Sequence, residues 1–190
     1  MKILGARFTV RSAGGCEAAG MTGRPETIHG SCVLLGADGV LLRGASGAGK
    51  SRLGDRLVAH MRRTGAFAAH VADDRLVLSA QGGRLVAEPP AALAGLWERR
   101  GEGIQRVSHE ARAVVRLLVD LMPETEIARL PEPEEGVVEL CGVRVARLQV
   151  PLPLADDAMA RVLAHLAGGL RFLAPGGDEI AADRSRTSDR

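Results

Sequence analysis

Between Val40 and Met61 the chain changes character twice, from an apolar run to a glycine-rich stretch to an amphipathic period. Val40–Arg43 reads as a short strand that leads straight into Gly44-Ala45-Ser46-Gly47-Ala48-Gly49-Lys50-Ser51, after which Leu53, Leu57, Val58 and Met61 fall on one face of a helix. The eight residues match the phosphate-loop pattern Gly-x-x-x-x-Gly-Lys-Ser/Thr at every fixed position, in the strand–loop–helix setting that the pattern requires. Glycines let successive backbone N–H groups turn toward an anion with no Cβ in the way, and the helix presents its positive end to the same point. In such a loop the lysine, here Lys50, lies against β- and γ-phosphates, and the hydroxyl of Ser51 is placed to ligate Mg²⁺. The expected fold is therefore an α/β nucleotide-binding domain, a mixed sheet with flanking helices.

Composition supports this at one position. Of 25 Lys+Arg residues only Lys2 and Lys50 are lysine. A compact ammonium reaches between phosphate oxygens where a planar guanidinium fork does not fit. Elsewhere composition mostly excludes. A net charge of +2 gives no broad field for nucleic acid, and with one Trp, three Phe and no Tyr there is no platform on which to stack bases. Cys16, Cys32 and Cys141 are odd in number and far apart, which argues against a disulfide framework or structural zinc. No run approaches the roughly 18 apolar residues of a membrane helix. These features predict a soluble, cytoplasmic protein with no nucleic-acid or membrane partner.

The domain is expected to span residues 25–174, after a loose leader over 1–24 and before a disordered, charge-rich tail over 175–190. Ile28–Leu35 reads as one strand, joined through Ala37-Asp38-Gly39 to Val40–Arg43. Phe67–Ala72 is a short apolar run ending at Asp73-Asp74, and Arg75–Leu78 and Arg84–Ala87 flank a Gln81-Gly82-Gly83 turn. The apolar spacing of Ser108–Leu121 predicts a buried helix. Two short strands are expected in Val137–Val150, and a last helix capped by Asp156 with Met159, Val162, Leu163 and Leu166 on its core face.

A phosphate loop leaves the reaction open. Its partner should be an acid at the carboxyl end of a neighbouring strand, where ligands gather in open α/β sheets. Asp73 and Asp74 occupy that place, one to organise a metal and the other to take a proton from an incoming hydroxyl.

Ile28-His29-Gly30, the glycine loop, Val71-Ala72-Asp73-Asp74-Arg75 and Gly95-Leu96-Trp97-Glu98-Arg99-Arg100-Gly101-Glu102-Gly103-Ile104 follow one another in an order that resembles the catalytic domain of HPr kinase/phosphorylase. That bifunctional enzyme phosphorylates a serine of HPr, the phosphocarrier protein of the phosphotransferase system. The resemblance covers roughly residues 27–155 and looks like the short, catalytic-domain-only form found in some Proteobacteria. It implies ATP and Mg²⁺ as cofactors, HPr as protein partner and a homo-oligomer, a hexamer in the family. It also implies roles: His29 as the histidine that positions the catalytic acid, Asp74 as general base with Asp73 beside it, and Glu98 as a Mg²⁺ ligand in the Glu-x-Arg-Gly signature completed by Arg100 and Gly101. Arg129, before the acidic Pro131–Glu135 stretch, matches an arginine that approaches the phosphates. One departure stands out: where the family has an arginine-containing segment associated with dephosphorylation, this chain reads Val150-Pro151-Leu152-Pro153-Leu154-Ala155. Kinase activity is accordingly expected to dominate.

Two other classes fit a phosphate loop. A small-molecule kinase would use an arginine-rich lid, for which Arg99, Arg100 and Arg106 are available, and a non-enzymatic sensor would bind nucleotide without transfer.

Overall fold

The computed structural model describes residues 24–154 and 156–168. Among these residues eleven strands and two α-helices are formed: β1 Glu26–His29, β2 Ser31–Leu35, β3 Asp38–Gly44, α1 Lys50–Arg63, β4 Ala68–Ala72, β5 Arg75–Gln81, β6 Arg84–Glu88, β7 Leu96–Arg99, β8 Gly103–Arg106, β9 Ala113–Pro123, β10 Val137–Leu140, β11 Val143–Leu152 and α2 Ala158–Leu166. The main sheet runs in the order β1-β5-β6-β9-β3-β2-β4, with β11 also on β9 and β10 beyond it. β9 is where the sheet forks: Ala113 and Val114 pair with β6, while Leu117–Pro123 pair with β11 on the same side.

Direction matters more than order. β9 is parallel to both β3 and β11, and β4, antiparallel to β2, runs the same way as β3. Four strands therefore end on one edge: β3 at the glycine loop, β4 at Asp73-Asp74, β9 at Pro123 and β11 at Leu152. β2 runs the other way, so its first residue, Ser31, starts at that same edge.

The alternation of strand side chains divides the core in two. Val40, Leu42, Leu117, Val119 and Leu121 face α1 and α2, whose Leu53, Leu57 and Val162 are buried against them. Leu41, Leu118 and Val145 face the opposite way and pack against Leu76, Leu78 and Leu85, because the sheet curls its β5–β6 arm back over itself. Both α-helices thus lie on one face, and the other is covered by sheet.

Three expectations need correction. Residues 113–121 are strand, not helix. The run Ala113–Leu121 satisfies helical spacing only because it is almost continuously apolar, and a central strand covered on both faces has that same character. Ile28–Leu35 is two strands, not one: Gly30 breaks it, since a Cβ there would lie 2.8 Å from the Leu42 carbonyl oxygen, and β1 leaves to pair with β5 while β2 pairs with β3 and β4. The N-cap of α2 is Asp157, which makes no side-chain cap hydrogen bond, in place of Asp156. The leader over residues 1–23 and the tail over 175–190 lie outside the described residues.

Candidate active site

The glycine loop joins β3 to α1 as its pattern demands. Gly47 and Gly49 have φ of 79° and 92°, a left-handed backbone that suits glycine, and Gly49 is the N-cap of α1. A Cβ on Gly44 would meet the Leu121 carbonyl oxygen at 2.6 Å, so the loop's first residue sits tightly against β9. Leu154, just past β11, packs on Gly49 closely enough that a Cβ there would be 2.5 Å from its Cδ1.

Lys50 opens α1 and is almost fully buried. Its ammonium donates to the carbonyls of Gly44 and Ala45, each at 3.0 Å, and contacts His29 Nε2 at 3.1 Å. An ammonium can only donate, so Nε2 is the acceptor and the ring proton belongs on Nδ1, which faces Asp74 Oδ1 at 3.1 Å. Lys50, His29 and Asp74 thus form a continuous hydrogen-bonded chain, whose outer end, the Asp74 carboxylate, is 59% exposed. Burial pulls the Lys50 ammonium below its ordinary range, against the opposing charges of Asp73 and Asp74.

The two aspartates diverge because the backbone turns between them. Asp74 has φ of 64°, and the turn is pinned by Gly30 N–H donating to the Asp74 carbonyl at 3.1 Å and Arg75 N–H to that of Asp73 at 2.7 Å. A short polar side chain is among the few that adopt this conformation, at a cost of about 1 kcal/mol. Asp73, in contrast to its neighbour, is buried: Oδ1 accepts from Ser31 at 2.5 Å and Ser51 at 2.9 Å, and Oδ2 accepts from the Glu98 backbone N–H at 2.9 Å. Ser31 carries no motif; only the β2–β4 pairing brings it here. Ser51 and Asp73 are hard oxygen donors of the kind Mg²⁺ prefers, and Glu98 adds an exposed carboxylate on the same segment that caps Asp73.

The Trp97–Glu102 stretch runs through β7 and the turn that joins it to β8 in a hairpin. Arg99 rather than the signature's Arg100 is engaged within it, through both of its contacts with Asp55 of α1, and Arg100 is exposed. Arg129 is exposed and makes no hydrogen bond or ion pair among the described residues, so no bond ties it to the other site residues. On the far side of the loop, buried Asp120 accepts from Arg43 at 2.6 and 2.8 Å and from Arg147 at 2.6 Å, tying β3, β9 and β11 together. Burial raises the Asp120 carboxyl, but the two arginines, Arg43 foremost, outweigh it and hold the group below the usual carboxylate range.

Comparison with known proteins decides the lineage. The family model described as the HPr Serine kinase C-terminal domain matches residues 22–167, most of the chain. This chain belongs to that family. It is 33% identical over 142 residues to an HPr kinase/phosphorylase of Lactobacillus acidophilus, a match covering 69% of this chain and 42% of the relative. With an HPr kinase/phosphorylase of Streptococcus thermophilus it shares 31% identity over 174 residues, 86% of this chain and 54% of the relative. The match therefore spans about half the length of these relatives. In fold it is similar to the Hpr(Ser) kinase/phosphatase from Coxiella burnetii, with a TM-score of 0.60 at 22% identity, covering 76% of this chain and 99% of that one. Among the described residues no helix is long and apolar enough to cross a membrane.

Proposed function

We propose that this chain transfers the γ-phosphoryl group of ATP to a serine hydroxyl of the phosphocarrier protein HPr. Membership of the HPr serine kinase family supports the reaction class and the partner. The observation that carries the reading is the Lys50–His29–Asp74 chain, which joins the phosphate loop to an exposed carboxylate through contacts of 3.1 Å on either side of one imidazole.

In this reading the loop amides from Ala45 to Ser51 and the Lys50 ammonium hold the ATP phosphates, Lys50 exchanging part of its contact with the loop carbonyls for phosphate oxygens. Ser51, Asp73 and Glu98 are the residues that would hold Mg²⁺, which neutralises charge on the phosphate oxygens when bound. Asp74 accepts the proton of the incoming serine as its oxygen bonds to the γ-phosphorus and the bond to the β-phosphate oxygen breaks, releasing ADP. His29 donates to Asp74 through Nδ1 and keeps that carboxylate aimed at the acceptor. Arg129, free of partners in the described structure, is available to reach the phosphates once nucleotide is bound. A homo-oligomer in the cytoplasm belongs to the same reading, as does a domain of about residues 25–174.

The forward direction is favoured. Arg147, on the strand leading into the arginine-free Val150–Ala155 segment, is committed to Asp120 and not to an incoming phosphate. Incubation with γ-labelled ATP, Mg²⁺ and purified HPr should place label on HPr serine and none on a variant carrying alanine at the acceptor. ATP binding without transfer would instead leave a sensor, and label appearing only in small molecules would leave a metabolite kinase. With serine-phosphorylated HPr and excess inorganic phosphate, pyrophosphate release should be slow beside the forward rate; a comparable rate overturns the kinase-dominant reading.

A further inference from the structure

β7 and β8 form a ladder of their own, outside the main sheet. The hairpin's backbone ties to the neighbouring β4 are few, the Glu98 N–H on Asp73 and, just past β8, the His109 bridge and the Glu110 N–H on His70, so side chains must supply the rest of its anchoring. Trp97 is buried beneath α1, where a Cβ on Gly54 would come within 2.9 Å of its Cζ2. Two residues on, Arg99 grips Asp55 with Nε to Oδ2 and Nη2 to Oδ1, both at 3.0 Å. Asp55 lies one helical turn beyond Ser51, on the same side of α1. Strand side chains alternate, so anchoring Trp97 and Arg99 on one side obliges the Glu98 side chain to leave from the other.

A third contact stiffens the grip. His70 of β4 lies 2.9 Å from Asp55 Oδ1 through Nε2, and its ring packs against Trp97 in a tilted arrangement, with centroids 4.2 Å apart at 59°. Its Nδ1 is buried without a partner, so a proton there would have nothing to donate to, and the ring serves as an Nε2–H donor to Asp55. Asp55 thus joins α1, β4 and the hairpin at one carboxylate.

We propose that Asp55 and Arg99 are positioning residues for metal binding: they set the Glu98 carboxylate, and the Glu98 N–H that caps Asp73, relative to Ser51. Neither touches the metal. The inference rests on the reading of Ser51, Asp73 and Glu98 as the Mg²⁺ site, and the test separates the two. Trp97 is the chain's single tryptophan and adjoins Glu98, so its fluorescence reports metal binding with no turnover. Mg²⁺ is titrated into the full chain with saturating ADP, for wild type, Glu98→Gln, Asp55→Asn, Arg99→Met and the double variant of Asp55 and Arg99.

A metal response in wild type that is lost in Glu98→Gln supports the site. On that background each of Asp55→Asn and Arg99→Met should raise the Mg²⁺ midpoint fivefold or more, with the double variant no worse than the weaker single, because both remove one interaction. ADP affinity in EDTA, which reads the loop without metal, should stay within twofold. If Asp55→Asn does not fold, Arg99→Met, at the half-exposed end of the pair, carries the test. Midpoints in the singles equal to wild type, or a loss of ADP affinity in EDTA as large as the loss of metal affinity, overturn the positioning role and leave the metal site standing. A wild type and Glu98→Gln that respond alike overturn the metal site, and the proposal with it.

Discussion

Asp73 and Asp120 end up in nearly the same circumstances by different means. Each is an aspartate 6% exposed, and each stands at or near the carboxyl end of a strand, β4 and β9, that runs the same way in one sheet. Both have every carboxylate oxygen engaged. Asp120 is held by two guanidinium groups at 2.6–2.8 Å, so its charge is more than cancelled within the protein. Asp73 accepts hydrogen bonds only from two hydroxyls and one backbone amide, which are neutral, and the Lys50 ammonium acts on it through space without a direct bond. Neutral donors solvate an anion but leave its charge in place, and a buried carboxylate with no directly paired cation still attracts one. Burial and saturation of hydrogen bonds therefore do not distinguish the two acids; the charge of the directly bonded partners does, and in the proposed reading that difference separates a structural acid from a functional one.

Four substitutions and conditions can break that contrast. The largest effect is expected at Asp73. Replacing it with asparagine keeps its shape and removes its charge, and should lower kcat for HPr phosphorylation by about 10³-fold, the scale of removing a preorganised electrostatic group. Its urea midpoint should stay close to that of wild type, because the amide oxygen can keep the Glu98 N–H while the Ser31 and Ser51 hydroxyls turn to accept from the new NH2. Asp74→Asn should cost about 10²-fold in kcat, the lower range for a general base, with ATP affinity measured by calorimetry unchanged. A variant that transferred at the full rate would remove Asp74 as the base.

Asp120→Asn should invert the pattern. Its turnover should remain near wild type, while urea denaturation shows a loss of about 2 kcal/mol, below the 3–5 typical of a broken buried pair because both arginines are partly exposed. Turnover falling as far as for Asp73→Asn would erase the distinction between the two acids. The finest test is pH. The folded Asp120 carboxyl titrates below its unfolded value of about 4, so the stability it contributes is complete above that value and fades as pH falls through the folded one. The gap between wild type and Asp120→Asn should thus be level from about pH 7 to 5 and narrow below about pH 4. A gap that stays level in stronger acid would mean that the arginines are not responding to carboxylate charge.

What could be read from the chain was what lay close together in it. The glycine loop, the face of α1, the β5–β6 turn and the aspartates closing β4 are all written within a few neighbouring residues, and each was found where local pattern put it. The β9 segment was misread because a strand buried on both faces loses the alternation that marks strands, leaving a continuous apolar run that also fits a helix. Ser31 meeting Asp73 depends on the pairing of β2 with β4, and Arg99 meeting Asp55 depends on a hairpin folding back onto a helix. Neither has a local signature. His29 and Glu98 are marked by family resemblance alone, and the Arg99 ion pair with Asp55 lies beside the signature's Arg100 without any motif of its own.

The contact of Leu154 with Gly49 bears on how the protein is made. A ribosome that has delivered the chain only as far as β10 has already produced every residue of Gly44–Ser51 and the whole of α1. It has not yet supplied β11, which pairs with the far side of β9, or the leucine that backs the N-cap glycine. The motif is thus complete before its support is made, so the nascent chain carries the nucleotide signature before it has the finished cradle.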